Sequence, residues 1–122
     1  MAEDPSAQIV ATRAAVLIDE VRLNLHRDMD ELMAIARSNG DLPLERRVRF
    51  RYDSSNAVTK CVEAVDLLFT ASGGRAIFLE SPLLRAFLDV HAARAHYANN
   101  PDKPGRNFGG VLLDLKNQDF FL

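Results

Sequence analysis

The sequence has a single cysteine, Cys61, which excludes an internal disulfide framework and fits a reducing, cytoplasmic setting. Charge of one sign is also lacking. The 15 lysines and arginines stand against 17 acidic residues, a net charge of -2, which argues against a nucleic-acid-binding surface. No apolar run nears the roughly 20 residues needed to span a bilayer, and the Met-Ala-Glu-Asp-Pro start resembles no signal peptide. A membrane partner is not expected. Internal repeats and low-complexity segments are absent, as are the nucleotide-binding fingerprints of the dinucleotide and Walker kinds. No Cys or carboxylate stands at ligand spacing from a histidine, so no metal site is expected. What is there is 122 residues, 48% apolar, enough for one compact domain over residues 1–122.

The pattern of that domain is all-α. Asp4 and Pro5 make a cap-plus-proline start. The helical pattern then runs to Gly40, which can end it in the left-handed conformation, giving about 50 Å of helix. Ala14, Ile18, Val21, Leu25, Leu32 and Ile35 form its main stripe, and Val16, Leu17 and Leu23 widen the apolar surface beyond one face. A second helix is expected from about Leu44 to Ala71, although R-R-V-R-F-R-Y (residues 46–52) alternates as a strand would. On a helix these arginines point in several directions and pair with acidic neighbours. Ser72-Gly73-Gly74-Arg75 ends that helix, and one short turn over residues 76–79 precedes the third.

The third helix, S-P-L-L-R-A-F-L-D-V-H-A-A-R-A-H (residues 81–96), organises the rest. Ser81 can cap its free amides and Pro82 sits at the first helical position. At about 100° per residue, Arg85, Asp89, Ala92 and His96 fall in one stripe that reads as built to be covered. Beyond Asn99 the sequence N-N-P-D-K-P-G-R-N predicts a loop, followed by a short apolar segment over residues 111–115 and a Phe120-Phe121-Leu122 end that reads as a docking element. The sum is an up-down bundle of three unequal helices and a short C-terminal segment. Its first two helices overhang the third, which predicts self-association.

Two places can carry chemistry. His96 shares its stripe with a guanidinium and a carboxylate, which can set an imidazole's protonation near neutral pH. His91 reads as packing or surface, and His26, between Arg27 and Asp28, as surface. At Ser72, Gly73, Gly74 and Arg75, two glycines allow close approach to the backbone, and free amides suit a phosphate. A helix C-cap and loop is the competing reading. The adjacent acidic pairs Asp19-Glu20 and Asp30-Glu31 point different ways and form no dyad.

Taken together, F-T-A-S-G-G-R-A-I-F (residues 69–78) and the third-helix sequence resemble the C-terminal helical domain of flavin-dependent monooxygenases with the acyl-CoA dehydrogenase fold. That branch holds two-component hydroxylases of phenols and steroid rings. The likeness extends over nearly the whole chain, including V-D-L-L-F (residues 65–69) and G-G-V-L-L-D-L (residues 109–115). It implies a bundle at the core of a homo-oligomer, dimer or tetramer. It implies reduced FMN or FAD, supplied by a separate flavin reductase, and a small aromatic substrate. By resemblance, His96 lies near the flavin and substrate, assisting oxygen activation or substrate deprotonation, with Arg85 and Asp89 as a supporting polar stripe. Residues Ser72, Gly73, Gly74 and Arg75 would approach the flavin of a neighbouring subunit. Two features depart from the family. Leu88 replaces an arginine before Asp89, and relatives carry an N-terminal helical domain and a β-domain. The chain is therefore expected to be a fragment or a shortened relative, not binding flavin tightly alone. The alternatives are a non-catalytic helical oligomerisation module, or the C-terminal domain of an acyl-CoA dehydrogenase.

Overall fold

A computed structural model describes residues 3–122, all helix, turn and loop. Helix α1 spans Pro5–Arg37, and Asp4 caps it by accepting the Ser6 amide at 2.9 Å. It ends three residues short of Gly40. The left-handed residue is Asn39 (φ 49°), and the Gly40 amide closes back on the Ile35 carbonyl at 3.1 Å. Asparagine is the usual second choice after glycine at that position, and here it takes the role that the sequence pattern assigns to Gly40.

Helix α2 spans Leu44–Ala71, so the strand-like alternation of residues 46–52 is helical. Its arginines disperse as expected: Arg46 pairs with Glu31, Arg49 lies 3.5 Å from Asp53, and Arg51 donates to the Ala98 carbonyl at 3.1 Å. A tight 3₁₀ turn, Gly73–Ile77, follows directly, starting three residues earlier than the sequence pattern places it. Helix α3 is Pro82–Ala95. Ser81 stands at its N-cap, but its hydroxyl makes no capping bond; its carbonyl accepts the Leu84 amide at 3.2 Å.

The expected loop after Asn99 is instead a fourth helix, α4, Asp102–Leu112. Proline and glycine misdirect here. Pro104 falls in the first turn, where an amide has no intrahelical partner and none is missed. The Asn100 side chain accepts the Asp102 amide at 3.0 Å, and Gly105 lets α4 close onto Tyr52, whose ring would lie 3.1 Å from an added Cβ. After α4 the tail turns through Asp114 (φ 60°). Buried Asn107 holds it, donating to Asn117 Oδ1 and accepting the Gln118 amide, both at 2.8 Å.

The helices form a slab three layers deep with α2 in the middle. Helix α1 runs antiparallel to α2, as the pairs Glu20–Lys60, Arg27–Asp53 and Glu31–Arg46 require. On the other side α3 covers the C-terminal half of α2, where the Phe69 and Phe87 centroids are 4.4 Å apart, and α4 covers the N-terminal half, where Tyr52 meets Phe108. Among the described residues, α1 packs against neither α3 nor α4. The predicted overhang is thus partly filled, since α3 and α4 lie end to end along α2. The outer side of α1 stays bare, with Ile9, Val16, Leu23, Met29 and Met33 all more than half exposed. Ile18, assigned to the buried stripe by periodicity, is exposed too.

The consequence is a thin core. Its fully buried apolar residues are Ala14, Val48, Ala64 and Ala76. The accessible surface is 8581 Å², whereas a compact monomer of this mass exposes about 6,600 Å². The excess, about 2,000 Å² on one chain, is more than the roughly 800 Å² that each partner buries in a standard interface.

Candidate functional site

The residues singled out by sequence fall into two clusters at opposite ends of α3. At its start is the glycine loop. Ser72 ends α2, with its amide and hydroxyl both directed at the Leu68 carbonyl, at 3.0 and 2.8 Å. Gly73 takes φ 59°, a conformation that excludes most other residues. A Cβ at Gly73 or Gly74 would meet nothing within 4 Å. Gly73 is explained by its backbone angle. Gly74 is not explained by crowding inside this chain, and its backbone faces open space. Arg75 is exposed and only Ala76 of the turn is buried. The following Ile77, Phe78 and Leu79 are exposed, Leu79 by 91%. Beside this loop, a groove of about 950 Å³ runs between the start of α1 and the end of α2, lined by Val10, Val62, Leu67 and Ala71 with Glu63 and Asp66 at its edge.

At the other end stands His96. It lies one residue beyond α3, with extended backbone (φ -70°, ψ 131°), so its ring leaves the stripe that helical periodicity gave it. The local cause is a tightened last turn: the His96 amide and the Asn99 side chain both donate to the Ala93 carbonyl, at 3.1 and 2.8 Å. Arg94 adds a bond to the Asn99 carbonyl at 3.3 Å. His96 Nδ1 accepts the Ala98 amide at 3.2 Å, capping a one-turn 3₁₀ helix, Tyr97–Asn99. Arg85 and Asp89 remain on α3 as an i,i+4 pair at 3.7 Å, with side chains 87% and 72% exposed. They reach each other and not His96, and among the described residues nothing covers them. The polar stripe exists without the imidazole.

The 14 residues of α3 separate the clusters, roughly 20 Å at 1.5 Å per residue. The two candidate half-sites, the glycine turn and the imidazole, therefore lie on separate surfaces.

Several groups escaped sequence reasoning. His91 Nε2 meets Asp66 Oδ1 at 2.8 Å across α2 and α3, and its ring stacks on Phe87 with centroids 4.3 Å apart; a pairing between helices leaves no trace in local spacing. Arg27 and Asp28, read as surface neighbours of His26, form the polar centre of the α1–α2 interface. Arg27 reaches Asp28 at 2.8 Å and Asp53 at 2.7 Å. Asp28 is 2% exposed and its Oδ2 has no hydrogen-bond partner among the described residues. Burial, together with the nearby Asp53, holds the Asp28 carboxyl above the usual carboxylate range despite its bond to Arg27. Burial likewise raises the Cys61 thiol, which makes it a poor nucleophile. Among the described residues no cluster of His, Cys, Asp and Glu could hold a metal ion, and no helix is long and apolar enough to cross a membrane.

Comparison with known proteins gives this geometry a context. The oxygenase subunit HsaA of a flavin-dependent monooxygenase from Mycobacterium tuberculosis is 34% identical over 117 residues, covering 96% of this chain and 30% of that protein. The oxygenase component of an FADH2-dependent resorcinol hydroxylase from a Rhizobium species is 28% identical over 95% of the chain and 29% of its own length. The crystal structure of the M. tuberculosis HsaA monooxygenase superposes with a TM-score of 0.93 at 32% identity, over 99% of this chain and 32% of that one. XiaF from Streptomyces, solved with FADH2 and glycerol, shares the fold with a TM-score of 0.90 at 24% identity, over 97% and 30% of the two chains. The chain spans about a third of the length of these relatives. A family model described as the C-terminal domain of acyl-CoA dehydrogenase matches residues 1–101. The all-helical fold and its likeness to the HsaA structure agree with that match: this chain belongs to the acyl-CoA dehydrogenase C-terminal domain family.

Proposed function

We propose that the chain acts as the C-terminal helical domain of a flavin-dependent aromatic hydroxylase, the oxygenase component of a two-component system. The observation that carries this reading is the match to HsaA in both sequence and fold over nearly the whole of this chain. The relatives are monooxygenases, which favours hydroxylation over acyl-CoA dehydrogenation. Reduced FMN or FAD would come from a separate flavin reductase, and a small aromatic compound would be the substrate. When bound, the flavin supplies the activation of oxygen. This chain's part is to present the exposed backbone of Gly73 and Gly74, with Ser72 and Arg75 beside it, and to place His96 near the reacting atoms.

The two half-sites fit such a group only if they serve different flavin sites. Being about 20 Å apart, the glycine loop and His96 cannot both touch one ring system, but in an assembly the loop of one copy can complete the site of another. Arg85 and Asp89 would then be covered by a neighbour, not by this chain. A chimera decides between this and a non-catalytic oligomerisation module. Exchanging the matching third of HsaA for this chain should give an oxygenase that hydroxylates an aromatic substrate with reduced flavin. A chimera that assembles yet consumes oxygen without forming product would favour the module.

Two further outcomes are expected of the chain itself. Sedimentation at micromolar concentration should show a dimer or larger, because the bare face of α1 and the excess surface call for a partner. A stable monomer at that concentration would count against it. Titration with FMN and FAD, oxidised and reduced, should give binding weaker than micromolar, since the glycine turn and His96 are both exposed and too far apart in one chain to hold one ring.

A further inference from the structure

The geometry points to a fixed tautomer for His96, set by its own backbone and held from α2 by Arg51: the neutral ring carries its proton on Nε2 and offers ligands a hydrogen-bond donor. This rests on the reading of His96 as a site residue, and it deepens that reading by choosing which role the ring can fill.

An imidazole nitrogen that accepts a hydrogen bond carries no proton, so in the neutral ring the other nitrogen must. Nδ1 accepts the Ala98 amide at 3.2 Å. Nε2 lies across the ring from that contact and makes no hydrogen bond among the described residues, and His96 is exposed. The free nitrogen is therefore N–H, a donor. Acting as a base through Nε2 would require the proton on Nδ1, where it would face the Ala98 N–H. A ligand atom with a lone pair, such as a phenolate oxygen, fits; a hydroxyl that must surrender its proton to the ring does not.

The Ala98 amide keeps its direction because the segment around it is tied down. Arg51 Nη1 donates to the Ala98 carbonyl at 3.1 Å, while Arg94 and Asn99 fix the flanking residues. Arg51 reaches this carbonyl along the wall of a small cavity of about 280 Å³, shared with Tyr97, Asn100, Lys103, Pro104 and Asp119. A guanidinium on the central helix thus sets the pose of a loop 47 residues later. Arg51 is a positioning residue, acting on the ring through Ala98.

Long-range proton–nitrogen correlation spectra of the ¹⁵N-histidine-labelled chain test this without any flavin, so failure of the flavin reading and failure of the tautomer are separable. His96→Gln identifies the His96 signals among those of His26 and His91. The neutral His96 ring should show a protonated Nε2 and an acceptor Nδ1. Arg51→Met should move the two nitrogen shifts toward each other, the mark of a tautomer mixture, and Arg51→Lys, which still donates, should restore most of the separation. A mixed or Nδ1-protonated ring in the unaltered chain overturns the tautomer. An unchanged spectrum in Arg51→Met overturns the role of Arg51.

Discussion

Replacing His96 by alanine in an oxygenase built with this domain is expected to lower hydroxylation by about 10²–10⁴-fold, the usual contribution of a positioned hydrogen-bond donor or general acid. Folding should be nearly untouched. His96 is exposed, and its ring makes one bond, to the Ala98 amide, worth about 1 kcal/mol at most. His91→Ala should behave in the opposite way. That ring loses a 2.8 Å bond to Asp66 and a stack on Phe87, a cost of about 1–2 kcal/mol, while the rate stays within a few-fold. The bond is partly solvated, with both side chains more than 40% exposed, so the lower figure is favoured. Steady-state rates, the ratio of product to oxygen consumed, and thermal melts on the two variants give the comparison. A His96→Ala enzyme as fast and as well coupled as its parent would make the residue structural and return the domain to an assembly role.

The largest stability effect should come from the α1–α2 interface. Arg27→Met removes the cation that Asp28 and Asp53 share, leaving a carboxyl that is 2% exposed without its donor. Breaking a buried pair from one side costs about 3–5 kcal/mol, and the partial exposure of Arg27 places this one near 3. The loss should depend on pH in a defined direction. Because burial raises the Asp28 carboxyl in the folded protein, the folded state holds that proton at pH values where the unfolded chain has lost it. Its contribution is full below the unfolded carboxylate value and declines as pH rises through the higher folded value. Arg27→Met should thus be mildest in acid and worst at neutral and alkaline pH. Asp28→Asn, which keeps the shape without the charge, should gain stability relative to the parent as pH rises and flatten the curve. Urea melts between pH 4 and 8 measure both. An Asp28→Asn variant that loses ground on raising the pH would show that the ionised carboxylate is the stabilising form.

The long elements were legible in the sequence because their signals are local. Asp4 with Pro5 marks the start of α1, and three- and four-residue steps from Val48 to Phe69 carry α2 through a strand-like passage. The glycine pair was legible as a turn for the same reason. Helix α4 was not, since Pro104 and Gly105 are breakers only in a helix interior and harmless in a first turn; position, not composition, decides. His96 failed as a stripe member because the helix ends one residue before it, on an Asn99 side chain that competes for a backbone carbonyl. The Arg27–Asp28–Asp53 centre failed for another reason. Charged neighbours in sequence read as solvent-facing, and only the approach of a second helix reveals that one of them is enclosed.

The slab arrangement also bears on how the molecule opens. Among the described residues α2 is the one helix that α1 packs against, so α1 can peel away while α2, α3 and α4 stay together. No such partial opening is available to α2, whose release dissolves both sides at once. Backbone amides on α2 should therefore exchange with solvent water most slowly, and those along the bare outer turns of α1 well before them. The residues that an assembly partner would grip thus belong to the least cooperative part of the fold, and docking there would lock a helix that otherwise breathes.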